Sequence, residues 1–151
     1  MTLAERITTD LKEAMKAGDK LRLETLRMIR ASVLEFEKSG AGRPMTEDEE
    51  IAILNQASKK RRDAIEQFEK AGRTEMAEKE RAELAIIAQY LPAQLSDDEI
   101  RAELATIIAS MGATSPSDLG KVMGMAVKGL KGRADGSTIQ RLARELLTQA
   151  P

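Results

Sequence analysis

Apolar residues recur three and four positions apart along most of the chain, the spacing of one helix face. Leu3, Ile7, Leu11 and Ala14 form the first stripe, with Thr2 and Glu5 placed as a capping box and Gly18 as a stop. Asp19 caps a second helix over residues 20–38, whose stripe is Leu23, Leu26, Ile29, Val33 and Phe36. Residues 39–44 (SGAGRP) are rich in breakers and read as the mobile surface loop of the first half. Thr46 and Glu49 then open the longest helix, which carries Ile51, Leu54, Ala57, Ile65 and Phe68. Thr74 is expected to cap a fourth, with Met76, Leu84, Ile87, Ala88 and Leu91 on its buried side. The alternating charges of residues 75–84 (EMAEKERAEL) read as an exposed face.

A residue before proline avoids the helical basin, so Leu91 ends that helix and residues 92–95 (PAQL) read as a hinge. Ser96 and Glu99 open a fifth helix with the stripe Ile100, Leu104, Ile107 and Ile108, closed by Met111 and Gly112. Ser115 or Ser117 caps the next, with Pro116 in its first turn. Its apolar side is Leu119, Val122, Met123, Ala126, Val127 and Leu130. Ser137 or Asp135 caps the last, whose inner face is Ile139, Leu142, Ala143, Leu146 and Leu147. The fold class that follows is all-α: a four-helix bundle-like domain over 1–92, then a small three-helix domain over 93–151. The second is small enough to be only marginally stable alone.

Composition agrees with helices. Ala, Leu, Met, Glu, Lys and Arg dominate, and Phe36, Phe68 and Tyr90 are the whole aromatic set. No cysteine means no disulfide and no thiolate nucleophile, and no histidine removes the commonest neutral-pH base and metal ligand. Glu47, Asp48, Glu49 and Glu50 are contiguous, which suits a helix N-terminus rather than a metal site. The glycines of GLKGRADGS (129–137) resemble a phosphate loop but do not match GxxxxGK[ST]. No catalytic residue, metal or cofactor is therefore expected. An apolar run of membrane length and a secretory h-region are both missing, so the cytoplasm is the expected location, with a monomer as default.

A formal net charge of -1 leaves any nucleic-acid contact to a local patch. Two stretches qualify. Residues 59–62 (KKRR) stand mid-helix, either solvated and paired with Asp63, Glu66 and Glu69 or facing phosphates; Arg61 falls close to the apolar stripe. Residues 118–147 hold six basic side chains: Lys121, Lys128, Lys131, Arg133, Arg141 and Arg144. Lys121 and Lys128 are seven apart and share a helix face, while Lys131 and Arg133 lie in a glycine-rich turn before a helix N-terminus. Gly120 and Gly124 serve close helix packing or a close approach by a partner. Gly132 and Gly136 shape the turn, and Asp135 caps or accepts within it. From these residues alone, nucleic acid and a protein partner weigh equally, and a plain solvated surface stays open. No aromatic stacking platform is present.

Four stretches carry a further resemblance: LRMIRASVLEFE (26–37), KKRRDAIEQFEKAGRTEMAEKERAEL (59–84), YLPAQLSDDEI (90–100) and DLGKVMGMAVKGLKGRADGSTIQRLARELL (118–147). In this order they resemble the GatB/YqeY family, most closely its stand-alone YqeY-like members. The C-terminal part is similar to the tail domain of the B subunit of the tRNA-dependent amidotransferase. Positions that match the family's pattern are Gly120, Lys121, Val122, Met123, Lys128, Gly132, Arg133, Ala134 and Asp135. The resemblance implies a helical bundle followed by a three-helix domain, and a non-catalytic protein that binds tRNA or assists a tRNA-handling enzyme. A protein–protein adaptor is the alternative. Glutamine-dependent carbon–nitrogen ligase activity follows from the family name only, because the tail occurs here without the catalytic domain.

Overall fold

Thr2, Thr46 and Ser96 open their helices in one way. Each hydroxyl accepts the amide of the glutamate three residues on, at 3.2–3.3 Å, and that glutamate accepts the cap residue's own amide at 2.8–3.2 Å. The computed structural model describes residues 1–149. Among these it is all-helical, with no strand: α1 (Leu3–Ala17), α2 (Lys20–Lys38), α3 (Glu47–Lys70), α4 (Thr74–Ala88), α5 (Asp97–Met111), a single 3-10 turn (Pro116–Asp118), α6 (Leu119–Gly129) and α7 (Gly136–Gln149). The chain divides into two compact units, Met1–Leu91 and Pro92–Pro151. Each has its own core.

The first core joins Leu3, Ile7 and Leu11 of α1 to Leu26, Ile29 and Val33 of α2, with Leu54 of α3 and Ile87 of α4. Tyr90 closes it from just beyond α4. Its hydroxyl donates to the Asp10 carboxylate, and the Arg6 guanidinium lies 4.9 Å from its ring centroid. Burial, then the bond to Asp10, raises the phenol well above its ordinary pKa. This hydroxyl ties the end of α4 to α1.

At the end of the exposed loop 39–44, Arg43 grips Glu49 with two hydrogen bonds of 2.9 and 2.7 Å, and its guanidinium lies 5.6 Å from the Phe36 ring centroid. Two local expectations about α4 are corrected. Thr74 does not cap α4 but is its first residue; Gly72 turns at φ 71 and Arg73 takes the cap position without a side-chain bond. The buried side of α4 is also turned from the apolar stripe. Ala77, Glu83 and Ile87 are buried, whereas Met76 is 45% exposed and Ala88 is exposed. Glu83 is buried because Arg61 meets it from α3 at 3.2 Å. The inner member of KKRR is thus a core residue.

The Arg43 clamp has a pH signature. The Arg43 hydrogen bonds, then the Thr46 amide, hold the Glu49 carboxyl at about 2 against an ordinary 4.5. A depressed folded value means a stabilisation complete above 4.5 and lost as pH falls through about 2. In an acid titration by NMR, Glu49 is expected to titrate near 2, and Arg43→Gln is expected to move its midpoint back towards 4.5. An unmoved midpoint would refute the clamp.

Candidate nucleic-acid interface

The second core fixes which way each basic side chain points. Ile100 and Leu104 of α5 pack with Val122, Ala126 and Leu130 from α6 and its end, and with Ile139, Leu142, Ala143 and Leu147 of α7. With Val122 and Ala126 turned inward, the opposite face of α6 carries Lys121, Gly124 and Lys128, all exposed. Seven residues at helical rise put the two lysines about 10 Å apart along the axis. Met125 and Val127 flank them, 51% and 45% exposed.

Leu130 ends α6, and the chain turns through Gly132 at φ 77, a left-handed conformation that glycine takes without strain. The turn is held from the segment before α5. Gln94 Nε2 donates to the Gly132 carbonyl at 2.7 Å, and the Leu95 amide donates to the Arg133 carbonyl at 2.8 Å. Gln94 falls in the hinge stretch 92–95 and in one of the stretches that resemble the family, but no periodicity marks its role. Arg133 folds back: its Nη2 donates to the Gly129 carbonyl at 2.8 Å, satisfying a helix C-terminus. Lys131 is exposed in the turn and is not free of partners. At the start of α7, the Asp135 carbonyl accepts the Ile139 amide at 3.0 Å and its carboxylate accepts the Ser137 hydroxyl.

Arg141 and Arg144 diverge in role. Arg141 meets Asp97 of α5 at 3.0 Å and Glu145 at 3.6 Å, so it fastens α7 to α5 through a surface ion network. Arg101 extends the network to Glu145 at 3.8 Å and Asp98 at 2.8 Å. Arg144 is exposed on α7. The six basic residues are thus split between presentation and scaffolding. At the head of α6, the Thr114 and Ser115 amides pull the Asp118 carboxyl below its usual range, with a smaller pull from Lys121.

The glycines separate likewise. Gly132 is buried in the turn, and Gly136 begins α7 with open space around it. Gly120 and Gly124 are exposed, and a Cβ added at either would meet nothing within 4 Å. They pack against nothing in their own unit, so the packing half of their expected role falls away. Among the described residues, no group of acidic side chains could hold a metal ion and no helix is long and apolar enough to cross a membrane.

The model of the Yqey-like protein family matches residues 4–147. This chain belongs to the Yqey-like family. It is similar to the protein named "Altered inheritance of mitochondria protein 41, mitochondrial" in several fungi. The protein of Pyrenophora tritici-repentis is 31% identical over 147 residues, covering 94% of this chain and 79% of the relative. That of Lachancea thermotolerans is 32% identical over 111 residues, covering 72% of this chain and 59% of the relative. That of Kluyveromyces lactis is 29% identical over 110 residues, covering 72% and 60%. In the latter two, the chain therefore spans about three fifths of the relative's length. These Yqey-like relatives are named mitochondrial proteins, which overturns the cytoplasmic expectation. The physical reason is plain. The expectation rested on two features the sequence lacks, a membrane-length apolar run and a secretory h-region, and a feature that is lacking names no compartment.

Proposed function

We propose that this Yqey-like chain is a non-catalytic RNA-binding accessory protein whose second unit engages tRNA or a tRNA-handling enzyme. The observation that carries the reading is the solvent face of α6, where Lys121 and Lys128 stand outward without an acidic residue between them in that helix. Exposed Lys131 and Arg144 add charge on the neighbouring turn and helix. The resemblance of this unit to the amidotransferase tail domain supports the choice of tRNA. Arg133 and Arg141 act as scaffold, since carbonyl and carboxylate groups of the same unit occupy them. A ligand read by phosphates and 2′-hydroxyls needs no aromatic platform.

The test is a polarisation titration against total tRNA, an unrelated structured RNA and duplex DNA at two salt concentrations. Replacing Lys121 and Lys128 together by Ala is expected to weaken tRNA binding and to lower the log–log salt slope by about 2, roughly one per phosphate contact. Arg133→Ala should alter stability more than slope. An unchanged slope in the double variant would remove α6 from the contact surface, and no RNA binding at low salt would end the proposal.

The adaptor reading rests on one different observation. Met125 and Val127 are exposed beside two glycines with open space above them, a surface on which another helix could lie closely. A stoichiometric protein partner that survives nuclease and high salt would favour it.

A further inference from the structure

The side chain of Arg61 is nearly enclosed, and its three nitrogens have unequal partners. Nε donates to Glu83 at 3.2 Å, Nη1 to the Ala57 carbonyl at 3.0 Å, and Nη2 to the Met28 sulfur at 3.2 Å. A carboxylate and a carbonyl are strong acceptors, whereas a thioether is a weak one. Met28 sits on α2, so this weak bond joins α2 to the α3–α4 ion pair. The residue is 47% exposed and, with Ile29, Phe36, Ala57 and Arg61, lines a cleft of about 450 Å³ between α2 and α3. A small polar reagent meets this exposed residue at the cleft.

We propose that Met28 is an oxidation site whose sulfoxide is held by Arg61, so that a hydroperoxide sets how firmly α2 is tied to the α3–α4 pair. The chemistry is a two-electron oxygen transfer. A sulfur lone pair attacks the terminal peroxide oxygen, the S–O bond forms as the O–O bond breaks, and that oxygen's proton passes to the departing oxygen. The sulfur is oxidised to the sulfoxide while the hydroperoxide is reduced to an alcohol, or hydrogen peroxide to water. The product oxygen is a strong acceptor beside a guanidinium that has lacked one at Nη2. Hydrogen bonds from a charged donor are roughly twice as strong as neutral ones. Methionine oxidation ordinarily disrupts packing because it makes an apolar side chain polar. At Met28 the sign reverses, because the polar group finds a buried cation and keeps one side in water.

Met15, Met76 and Met125 are also exposed and would oxidise in parallel. The test therefore starts from the full chain carrying Met15→Leu, Met76→Leu and Met125→Leu, with helicity checked by circular dichroism. Hydrogen peroxide is the probe, and peptide mass mapping reports occupancy at Met28. Melting is followed through Tyr90, the one tyrosine of the chain, which lies in the first unit's core. The melting temperature is expected to rise by a few degrees when Met28 is fully oxidised, and to return after treatment with methionine sulfoxide reductases. With Met28→Leu added, peroxide is expected to leave the melt unchanged. A fall or no change on full oxidation of Met28 overturns the proposal. An equal rise in the Met28→Leu protein does the same, as does a Met28 that stays reduced while Met1 is oxidised.

Discussion

Arg61→Ala is expected to destabilise the first unit by about 3–5 kcal/mol, the usual cost of leaving a buried charge without its partner. The pair it breaks is well enclosed, with side chains only 4% and 10% exposed at Arg61 and Glu83. Glu80 makes the loss worse. Its carboxyl is pushed above its usual range by partial burial, then by the negative charge of Glu83, with Arg61 pulling the other way. Without Arg61, two neighbouring carboxylates face each other at the α3–α4 seam. Glu83→Ala is expected to cost less than Arg61→Ala, because Glu80 remains to neutralise the guanidinium. Arg61→Met combined with Glu83→Leu should recover most of the loss, since hydrophobic replacement of a buried pair is often neutral or stabilising. Denaturant unfolding followed at Tyr90 measures all three. If Arg61→Ala changes the midpoint by no more than an exposed Arg→Ala does, the pair does not carry that part of the fold.

That seam is also where the sequence was hardest to read. Helix boundaries were legible because they are written in local chemistry. A hydroxyl with a glutamate three residues on marks the start of α1, α3 and α5, and glycine in the left-handed region closes α1 and α5. The face that α4 buries has no such local mark. Its stripe of apolar residues and its ring of charges are both compatible with a surface helix, and the choice is made by a partner 22 residues away. Helical geometry alone sets Arg61 of the KKRR run close to the apolar stripe, but it names no partner, and Glu83 across the seam is what the fold adds. The Arg43 clamp was hidden for the same reason. Breaker residues signal a loop, but they say nothing of the bidentate arginine–carboxylate contact between positions 43 and 49 that ties its end to α3.

In the second unit, the basic residues were legible as a set but not as individuals. Charge counting treats Lys128 and Arg141 alike. In the folded unit Lys128 stands on a solvent face, while Arg141 lies within reach of two carboxylates, one of them on another helix. The glycines show the same limit in reverse. Gly120 and Gly124 share the helical spacing of a packing motif, and only the fold reveals that both look into open space.

Leu104→Ala should have the next largest effect, and an uneven one. Leu104 has no exposed surface and packs in a core that shares no residue with that of the first unit. Truncating a buried leucine costs about 2–5 kcal/mol, the lost transfer free energy plus the cavity left behind. A unit of this size buries a smaller share of its surface than a large domain, so its whole stability is of the same order as that loss. Amide exchange protection is therefore expected to collapse across α5, α6 and α7 together, while α1, α2 and the α3–α4 pair retain theirs. The Gly132 turn should open in the same step, because Gln94 and Leu95 hold it through the backbone of this unit. If the α6 lysines contact RNA as part of a folded surface, tRNA binding should fall in proportion to the folded fraction of α5–α7. Full affinity in a variant whose second unit has lost its protection would show that the lysines act as loose charge, with no need for the helix that presents them.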